Sequence, residues 1–349
     1  MHKALFALAA CALGAAQCHA ANSITPYGAL DVGVATQSNA TPAGTKTGFI
    51  AGTILPDILG ISGSHELPSG NKVIFRFEAG TNMETGAAGF SSNNYWGRNA
   101  NVGLAGRWGS VTGGMELTPF LTDLASVDPL GLSQAGSILD TYVNSLGIVG
   151  IFDSRMIQYR SPALGGFGFT LGAGTGNVPG NFSSGREIQG TAHYTRGGLE
   201  LAAGALHLNG NNGGNGDIKS YWLGAAYDID QVTLKGVGQD SKVMTNGVER
   251  HTRTLGLGLD WSISDKWNLA YGIYQYKDLS AAVSSSSLMN VALLKYALDS
   301  QTSAYVGVTH AANKGLLAFN PLDATSWGND VPAPGISTTA LYAGFYYTF

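Results

Sequence analysis

The sequence predicts an all-β fold: a closed antiparallel barrel of sixteen strands that spans a membrane. Three observations predict it, namely apolar residues at every second position, a secretory signal at the start of the chain, and connections that alternate between short and long. Only 12% of the residues are charged, against roughly 25% in a typical soluble domain. Mean hydropathy is nevertheless only +0.06. Apolar residues that are this frequent and this dispersed are typical of strands with one face in lipid.

The start of the chain has the pattern of a cleavable signal peptide. Residues 1–3 are short and basic, residues 4–16 are apolar and uncharged, and Ala20 precedes the expected cut. The apolar run is too short for a membrane anchor, which takes roughly 20 residues. Cys18 would suggest a lipid anchor, but Gln17 stands where that signal requires a small residue. We therefore predict a signal peptide over residues 1–20 and a single barrel domain over residues 21–349.

Composition narrows the function classes further. Both cysteines, Cys11 and Cys18, lie in the signal, so the mature chain has no disulfide, thiol nucleophile or Cys-x-x-Cys metal site. Without Lys3 the chain has 18 basic and 23 acidic residues, a net charge of −5. This balance argues against a nucleic-acid partner, which requires a basic surface. The 50 glycines would weaken helices but suit bends in strands and close backbone approach.

Alternation with a period of two recurs along the chain. Residues 341–349 place Leu341, Ala343, Phe345, Tyr347 and Phe349 on one face, with small or hydroxylated residues on the other. Residues 27–34, 72–78, 255–263 and 267–273 alternate in the same way. The polar faces are too populated for the core of a soluble protein, and no fixed repeat supports a propeller or solenoid. A barrel with one face in lipid and the other toward water satisfies both faces.

The connections between these strands fall into two kinds. Seven short turns alternate with eight longer, mostly polar segments, which together join sixteen strands. The longer segments are residues 36–55, 81–93, 118–152, 175–185, 209–217, 241–248, 280–286 and 311–336. Short turns at one end and long loops at the other are typical of outer-membrane barrels.

Six short motifs occur in the order in which one known family has them. They are Tyr27, Gly28 and Asp31; Gly63, Ser64, Glu66, Leu67, Gly70, Lys72, Phe75 and Glu78; Arg98, Val102, Gly103, Leu104 and Gly106; Gly109, Val111, Thr112 and Gly114; Tyr159, Ser161, Pro162, Gly166 and Phe167; and Gly344, Tyr347 and Phe349. From about Ser23 to Phe349 the chain resembles the trimeric general porins of Gram-negative outer membranes. Each motif is weak alone, but their shared order over the whole chain is specific.

The resemblance implies a function and a set of partners. We expect an outer-membrane porin, a water-filled channel for passive diffusion of small hydrophilic solutes and ions, with no cofactor. Three barrels would form a homotrimer among outer-membrane lipid and lipopolysaccharide, and residues 118–152 would fold into each lumen as the constriction loop. Gly344, Tyr347 and Phe349 would form the signal that the outer-membrane assembly machinery reads.

In this family a basic cluster on the wall faces acidic residues of the constriction loop. The corresponding candidates here are basic Lys72, Arg76, Arg160 and Arg98, and acidic Glu78, Glu116, Asp123, Asp128, Asp140 and Asp153. The direction of Arg98 stays open, because it shares its phase with Val102 and Leu104. Met115 and Gln158 stand where the family has basic residues. With those positions neutral and the loop acidic, we expect a weaker anion preference than is usual in the family.

Three alternatives stay open. A solute-specific porin would line its lumen with a binding track, for which Tyr274, Tyr276 and Tyr305 have the right phase. A structural barrel would be plugged and would not conduct. An enzyme in barrel form would need a converging catalytic or metal-binding group. The histidines of the mature chain are scattered along the sequence and suggest no such group; they are His65, His193, His207, His251 and His310. We therefore expect neither an enzyme nor a metal site.

Overall fold

The structure, a computed structural model, describes residues 22–88, 94–210 and 216–349; the predicted signal peptide lies outside them. The strands of the described chain form one antiparallel sheet. They are β1 (Ser23–Thr41), β2 (Gly44–Ala51), β3 (Ile58–Glu66), β4 (Lys72–Gly80), β5 (Asn99–Gly106), β6 (Gly109–Leu117), β7 (Phe152–Arg160), β8 (Phe167–Gly174), β9 (Glu187–Arg196), β10 (Leu199–Leu208), β11 (Ile218–Ile229), β12 (Val232–Thr245), β13 (Val248–Ser262), β14 (Trp267–Asp278), β15 (Ser285–Ala297), β16 (Thr302–Lys314) and β17 (Thr338–Thr348).

The sheet closes into a barrel through its first and last strands. β1 pairs with β17 from Ala29 opposite Thr348 to Gln37 opposite Ala340. On its other edge, β1 pairs with β3 through its first half and with β2 through its second half. β2 and β3 therefore act as one interrupted strand, and the barrel has the sixteen strands that the sequence predicts.

The interruption at residues 52–57 is stabilised by two carboxylates. The side chain of Asp31 accepts hydrogen bonds from the backbone N–H groups of Ile54 and Leu55, at 2.5 and 2.8 Å. Asp57 accepts one from the N–H of Asp31 at 2.6 Å. Donors that the broken ladder leaves without strand partners are thus satisfied by side chains, as buried backbone groups require.

The predicted alternation along the strands is confirmed: successive side chains point in turn into the lumen and out toward lipid. On β11, Ser220 and Trp222 are buried toward the lumen, whereas Tyr221 and Leu223 face outward. The outward residue Leu223 is 68% exposed. Similar outward apolar residues recur on most strands and form a belt around the barrel, as a surface in contact with lipid requires.

Short turns and long loops lie at opposite ends of the barrel, as predicted. Two of the predicted long loops, however, are largely β-strand. All seven short turns lie at one end, here called the short-turn end. At the opposite end, the long-loop end, β1 extends to Thr41 and reaches β2 through two residues, and β12 reaches β13 through Asn246 and Gly247. Those two residues have φ of 52° and 79°, as a two-residue hairpin turn requires. The mostly polar residues at 36–41, in β2 and at 241–245 predict loops but form strands, because strands that project above lipid need no apolar face.

Residues 118–151, between β6 and β7, fold into the lumen and are called the constriction loop below. The loop contains α1 (Pro119–Thr122), α2 (Leu124–Val127) and α3 (Ile138–Leu146). It packs on small wall residues: a Cβ atom at Gly224 or Gly272 would collide with Val127 or Leu130 of the loop. Within the described part of the chain, no helix has the length and apolar character needed to cross a membrane.

Candidate pore constriction

A second connection also folds inward and narrows the lumen. Residues 315–337, called the eighth loop below, bury Phe319, Leu322 and Trp327 almost completely. The indole nitrogen of Trp327 donates to the carbonyl of Phe49 at 2.9 Å. The sequence predicts a long loop at residues 311–336 but not its inward fold, although its apolar residues are the same signal that indicates the constriction loop: a long apolar connection needs a surface to pack on.

The two inward loops are joined through Asp140. Its carboxylate accepts hydrogen bonds from the backbone N–H groups of Gly136 and Ser137 at 2.7 and 2.9 Å. It also accepts one from Ala324 of the eighth loop at 3.2 Å. Gln134 adds a bond to the carbonyl of Ala324 at 2.6 Å. Burial raises the pKa of Asp140 well above its usual range.

Asp128 has the same role within the constriction loop. It accepts hydrogen bonds from the N–H of Leu132 at 2.8 Å and from the hydroxyl of Tyr274 at 2.8 Å, and burial raises its pKa. Asp128 and Asp140 are both 0% exposed. The prediction that they line the constriction is therefore wrong: their carboxylates are turned into the loop because its backbone N–H groups need acceptors.

The other predicted acids also have partners. Glu78 forms an ion pair with Arg98 at 2.6 Å and accepts a hydrogen bond from Tyr27 at 2.8 Å. This pair answers the open question about Arg98, whose side chain is 8% exposed and is held by Glu78 beneath the channel surface. Glu116 is 4% exposed and accepts a bond from Asn101 at 3.0 Å.

Asp123 and Asp153 are held beside the same wall. Asp123 is hydrogen-bonded to the hydroxyl of Thr191 on β9. Asp153 accepts a hydrogen bond from Gln189 at 3.3 Å, and Gln189 also donates to Glu187 at 2.6 Å. These contacts tie the constriction loop and the start of β7 to β9.

Basic side chains reach the lumen water from the wall. Arg160 is exposed and Arg76 is half-buried, and the positive charges of both act on Glu116. Lys72 is exposed and lies in the same cross-strand row as Arg160, near the short turns, where it pairs with Glu66 at 3.5 Å. The structure therefore brings the charges of Arg76 and Arg160 to Glu116, whereas that of Lys72 is paired with Glu66.

Two further lysines were missed by the sequence reasoning. Lys235 on β12 has the phase of the buried residues Val237 and Gln239, so it points into the lumen. Its ammonium donates to the carbonyl of Asp128 at 3.2 Å, at the tip of the constriction loop. Lys295 has the lumen phase of β15, and it lies close enough to Lys235 for the two positive charges to repel each other. The strand phase alone was the signal that could have identified both.

The three lumen-phase tyrosines support the loops. Tyr274 donates to Asp128, Tyr276 donates to Asn144 at 3.0 Å, and Tyr305 donates to Asp31 at 2.6 Å. All three are at most 5% exposed. They therefore offer no aromatic track along the water-filled part of the lumen.

A closed barrel with an apolar outer belt, a polar lumen and inward-folded loops defines an outer-membrane channel. A family model described as Gram-negative porin matches residues 4–316, and the chain belongs to this family. It is 26% identical to outer membrane porin protein 32 of Delftia acidovorans, over 99% of this chain and 95% of that one. It is 27% identical to an outer membrane porin protein of Bordetella pertussis, over 67% of this chain and 68% of that one.

Solved structures agree on the fold. An anion-selective porin from Comamonas acidovorans superposes with a TM-score of 0.81 at 24% identity, over 94% of this chain and all of that one. In its trimer form, OmpT of Vibrio cholerae superposes with a TM-score of 0.68 at 12% identity, over 95% of this chain and all of that one. The chain is thus an outer-membrane porin, and its barrel serves passive diffusion.

Proposed function

We propose that this porin passes small anions more readily than small cations. The observation that carries the proposal is an asymmetry of the lumen. The predicted acids are bound to backbone groups, to amides or to Arg98, whereas Arg76 and Arg160 reach water. The expectation of a weaker anion preference than is usual in the family rested on two neutral wall positions and on an acidic constriction loop, but the two buried aspartates of that loop do not contribute to the channel surface. The similar porin from Comamonas acidovorans is itself anion-selective.

A salt gradient across a planar bilayer tests the proposal. The reversal potential of the wild-type channel should have the sign of anion preference, and the double variant Arg76→Gln/Arg160→Gln should move it toward zero. A unit charge about 4 Å from an ion in water contributes about 1 kcal/mol, equivalent to about a five-fold change in local ion concentration per arginine at low salt.

The matched control removes two charges at short turns on other strands. Arg196 and Lys266 lie at the short turns after β9 and β13 and are exposed. Arg196→Gln/Lys266→Gln should keep the wild-type reversal potential. A wild-type channel that prefers cations, or a control that shifts as far as the lumen variant, would overturn the proposal.

We further propose that the barrel assembles as a homotrimer with Gly344, Tyr347 and Phe349 as its assembly signal. The backbones of Phe349 and Gly28 exchange two hydrogen bonds, at 3.1 and 3.2 Å, where the barrel closes. The rings of Tyr347 and Phe349 stack 5.7 Å apart. Chemical crosslinking of the detergent-extracted protein should give dimer and trimer bands. A single monomer band from folded protein would contradict the trimer.

A further inference from the structure

A cavity of about 310 Å³ lies between the constriction loop, the eighth loop and the barrel wall, at the long-loop end. The constriction loop contributes Asn144, from the last turn of α3, and the wall contributes Arg250 of β13 and Asp278 of β14. The eighth loop contributes Leu316 and Leu317. The volume is at the lower limit of small-molecule sites, which span roughly 300–1,000 Å³, so the cavity suits a small occupant.

The guanidinium of Arg250 is fixed in place by the constriction loop and the wall. It donates to the backbone carbonyl of Asn144 at 2.9 Å, to the side-chain oxygen of Asn144 at 3.1 Å and to the hydroxyl of Tyr276 at 3.0 Å. Its Nε donates to Asp278 at 3.2 Å. A guanidinium has five N–H donors, so one N–H on Nη1 has no partner among the described residues. That donor is available to an anionic group.

The carboxylate of Asp278 supplies a free acceptor beside that donor. Its Oδ1 accepts from the backbone N–H groups of Ser280 and Ala281 and from the hydroxyl of Ser280, at 3.0, 3.1 and 2.7 Å. Within the described chain, Oδ2 accepts only from Arg250, and a carboxylate oxygen has room for a second donor. The side chains of Arg250 and Asp278 are 36% and 15% exposed, so solvent reaches both. The polar part of the cavity thus presents one positive and one negative group, whose charges balance.

The rest of the lining is mostly aliphatic. It consists of Ala281, Leu316, Leu317 and Ala318, together with Ser285, and none of the described lining residues is aromatic. The hydroxyl of Ser285 is already bonded to two backbone groups, at 2.8 and 2.9 Å. Leu317 is buried, whereas Leu316 is 61% exposed. An apolar group that covers Leu316 would therefore remove aliphatic surface from water, which is favourable.

We propose that this cavity binds a free α-amino acid with an aliphatic side chain, of which leucine is the probe. The carboxylate would accept from Nη1 of Arg250, the ammonium would donate to Oδ2 of Asp278, and the side chain would cover Leu316. A lone anion is repelled by Asp278 and a lone cation by Arg250, whereas a zwitterion complements both and adds no net charge. A sugar would bond with the polar groups but would leave the aliphatic lining without an apolar partner.

The site is separate from the residues that carry ion preference. It includes neither Arg76 nor Arg160, so the two proposals can fail independently. Because the cavity has walls from both inward loops, an occupant would join them in addition to the bond between Asp140 and Ala324. Bound leucine should therefore slow hydrogen exchange in the eighth loop.

Isothermal titration calorimetry of the folded protein in detergent tests the proposal on the wild type. Leucine should bind saturably, and two analogues that each lack one charge should bind at least about ten-fold more weakly, the equivalent of about 1.4 kcal/mol. The analogues are leucinamide, which has no carboxylate, and isocaproate, which has no ammonium. Glucose should not bind. The proposal is overturned by the absence of saturable leucine binding, by equal affinity for leucine and both analogues, or by binding of glucose in place of leucine.

Two variants locate the site on the protein. Ala281→Leu fills the apolar part of the cavity, and Asp278→Asn removes the partner of the ammonium group. Each should weaken leucine binding at least about ten-fold while the barrel keeps its heat-modifiable gel mobility, which shows that it is folded. The matched controls are Ala282→Leu, one residue outside the lining, and Asp299→Asn, in an exposed turn at the short-turn end. Both controls should keep the wild-type affinity. Full leucine affinity in the two site variants would place the amino acid elsewhere and overturn the assignment.

Discussion

Asp140 should decide whether the eighth loop stays attached to the constriction loop. One carboxylate oxygen accepts the N–H groups of Gly136 and Ser137, and the other accepts the N–H of Ala324. Asp140→Asn keeps an oxygen for the first two donors, but it turns an amide N–H toward the third. Asp140→Ala removes all three acceptors. The two variants therefore separate the link between the loops from the internal structure of the constriction loop.

The expected magnitudes follow from the number of donors left without a partner. A buried donor without an acceptor costs roughly 1–3 kcal/mol, so the asparagine variant should destabilise the eighth loop by about that amount. The alanine variant leaves three donors, for an upper limit of roughly 9 kcal/mol. The true value should lie nearer the lower end, because removal of Asp140 also removes a carboxyl whose burial is unfavourable enough to raise its pKa.

Hydrogen exchange in detergent, read by mass spectrometry, measures both effects. With Asp140→Asn, exchange should accelerate at residues 315–337 by about ten-fold for each 1.4 kcal/mol and stay unchanged at residues 128–140. With Asp140→Ala, both segments should exchange faster, and the open-channel current should become noisier. The control is Asp299→Ala, which removes a carboxylate that binds two backbone N–H groups, those of Gln301 and Thr302, in an exposed turn. Equal protection of the eighth loop in wild type and Asp140→Ala would refute the reasoning.

Three further predictions concern pH, a buried ion pair and the last residue. Burial raises the pKa of Asp323 in the eighth loop from 3.8 to about 7, so the folded loop holds this proton more tightly and loses stability as the pH rises from about 4 to about 7. Current noise should rise over that range in the wild type and not in Asp323→Asn; a flat wild-type profile would contradict this. Arg98→Gln leaves Glu78 buried without its cation and should cost about 3–5 kcal/mol, seen as a lower thermal unfolding temperature, whereas Arg107→Gln should have no effect. Deletion of Phe349 removes two hydrogen bonds with Gly28 and should lower the yield of heat-resistant trimer in the membrane, and unchanged assembly would count against the proposed signal.

The sequence predicted the barrel because each strand carries its own evidence. Alternation in residues 255–263 decides which side of β13 meets lipid without reference to any other strand. The strand count followed from the turns, and even the interrupted second strand did not disturb it. Where the prediction was wrong, at residues 36–41, 44–51 and 241–245, the strands are mostly polar and lack a continuous apolar face, so alternation carries little information there.

The constriction was harder to predict because the orientation of its side chains depends on contacts with residues that are distant in the sequence. The direction of Arg98 depends on Glu78, twenty residues earlier on a neighbouring strand. The inward position of the eighth loop depends on Phe49 and on Gln134, which no local pattern connects to it. Lys235 and Lys295 show the converse: both lie on regular strands, and their phase alone would have placed them in the lumen.

The different positions of the acidic and basic side chains follow from the hydrogen-bonding needs of an irregular segment inside a barrel. A loop that leaves the sheet carries backbone N–H groups away from water, and each needs an acceptor. A carboxylate accepts from several donors at once, as Asp128 and Asp140 do. Arginine and lysine only donate, so they cannot satisfy these groups. Acids in an inward loop are therefore drawn into its structure, while bases on the regular wall stay free to face the channel. A count of charges in the loop overstates its negative field for this reason, and the wall cations Arg76 and Arg160 are the residues on which ion preference should depend.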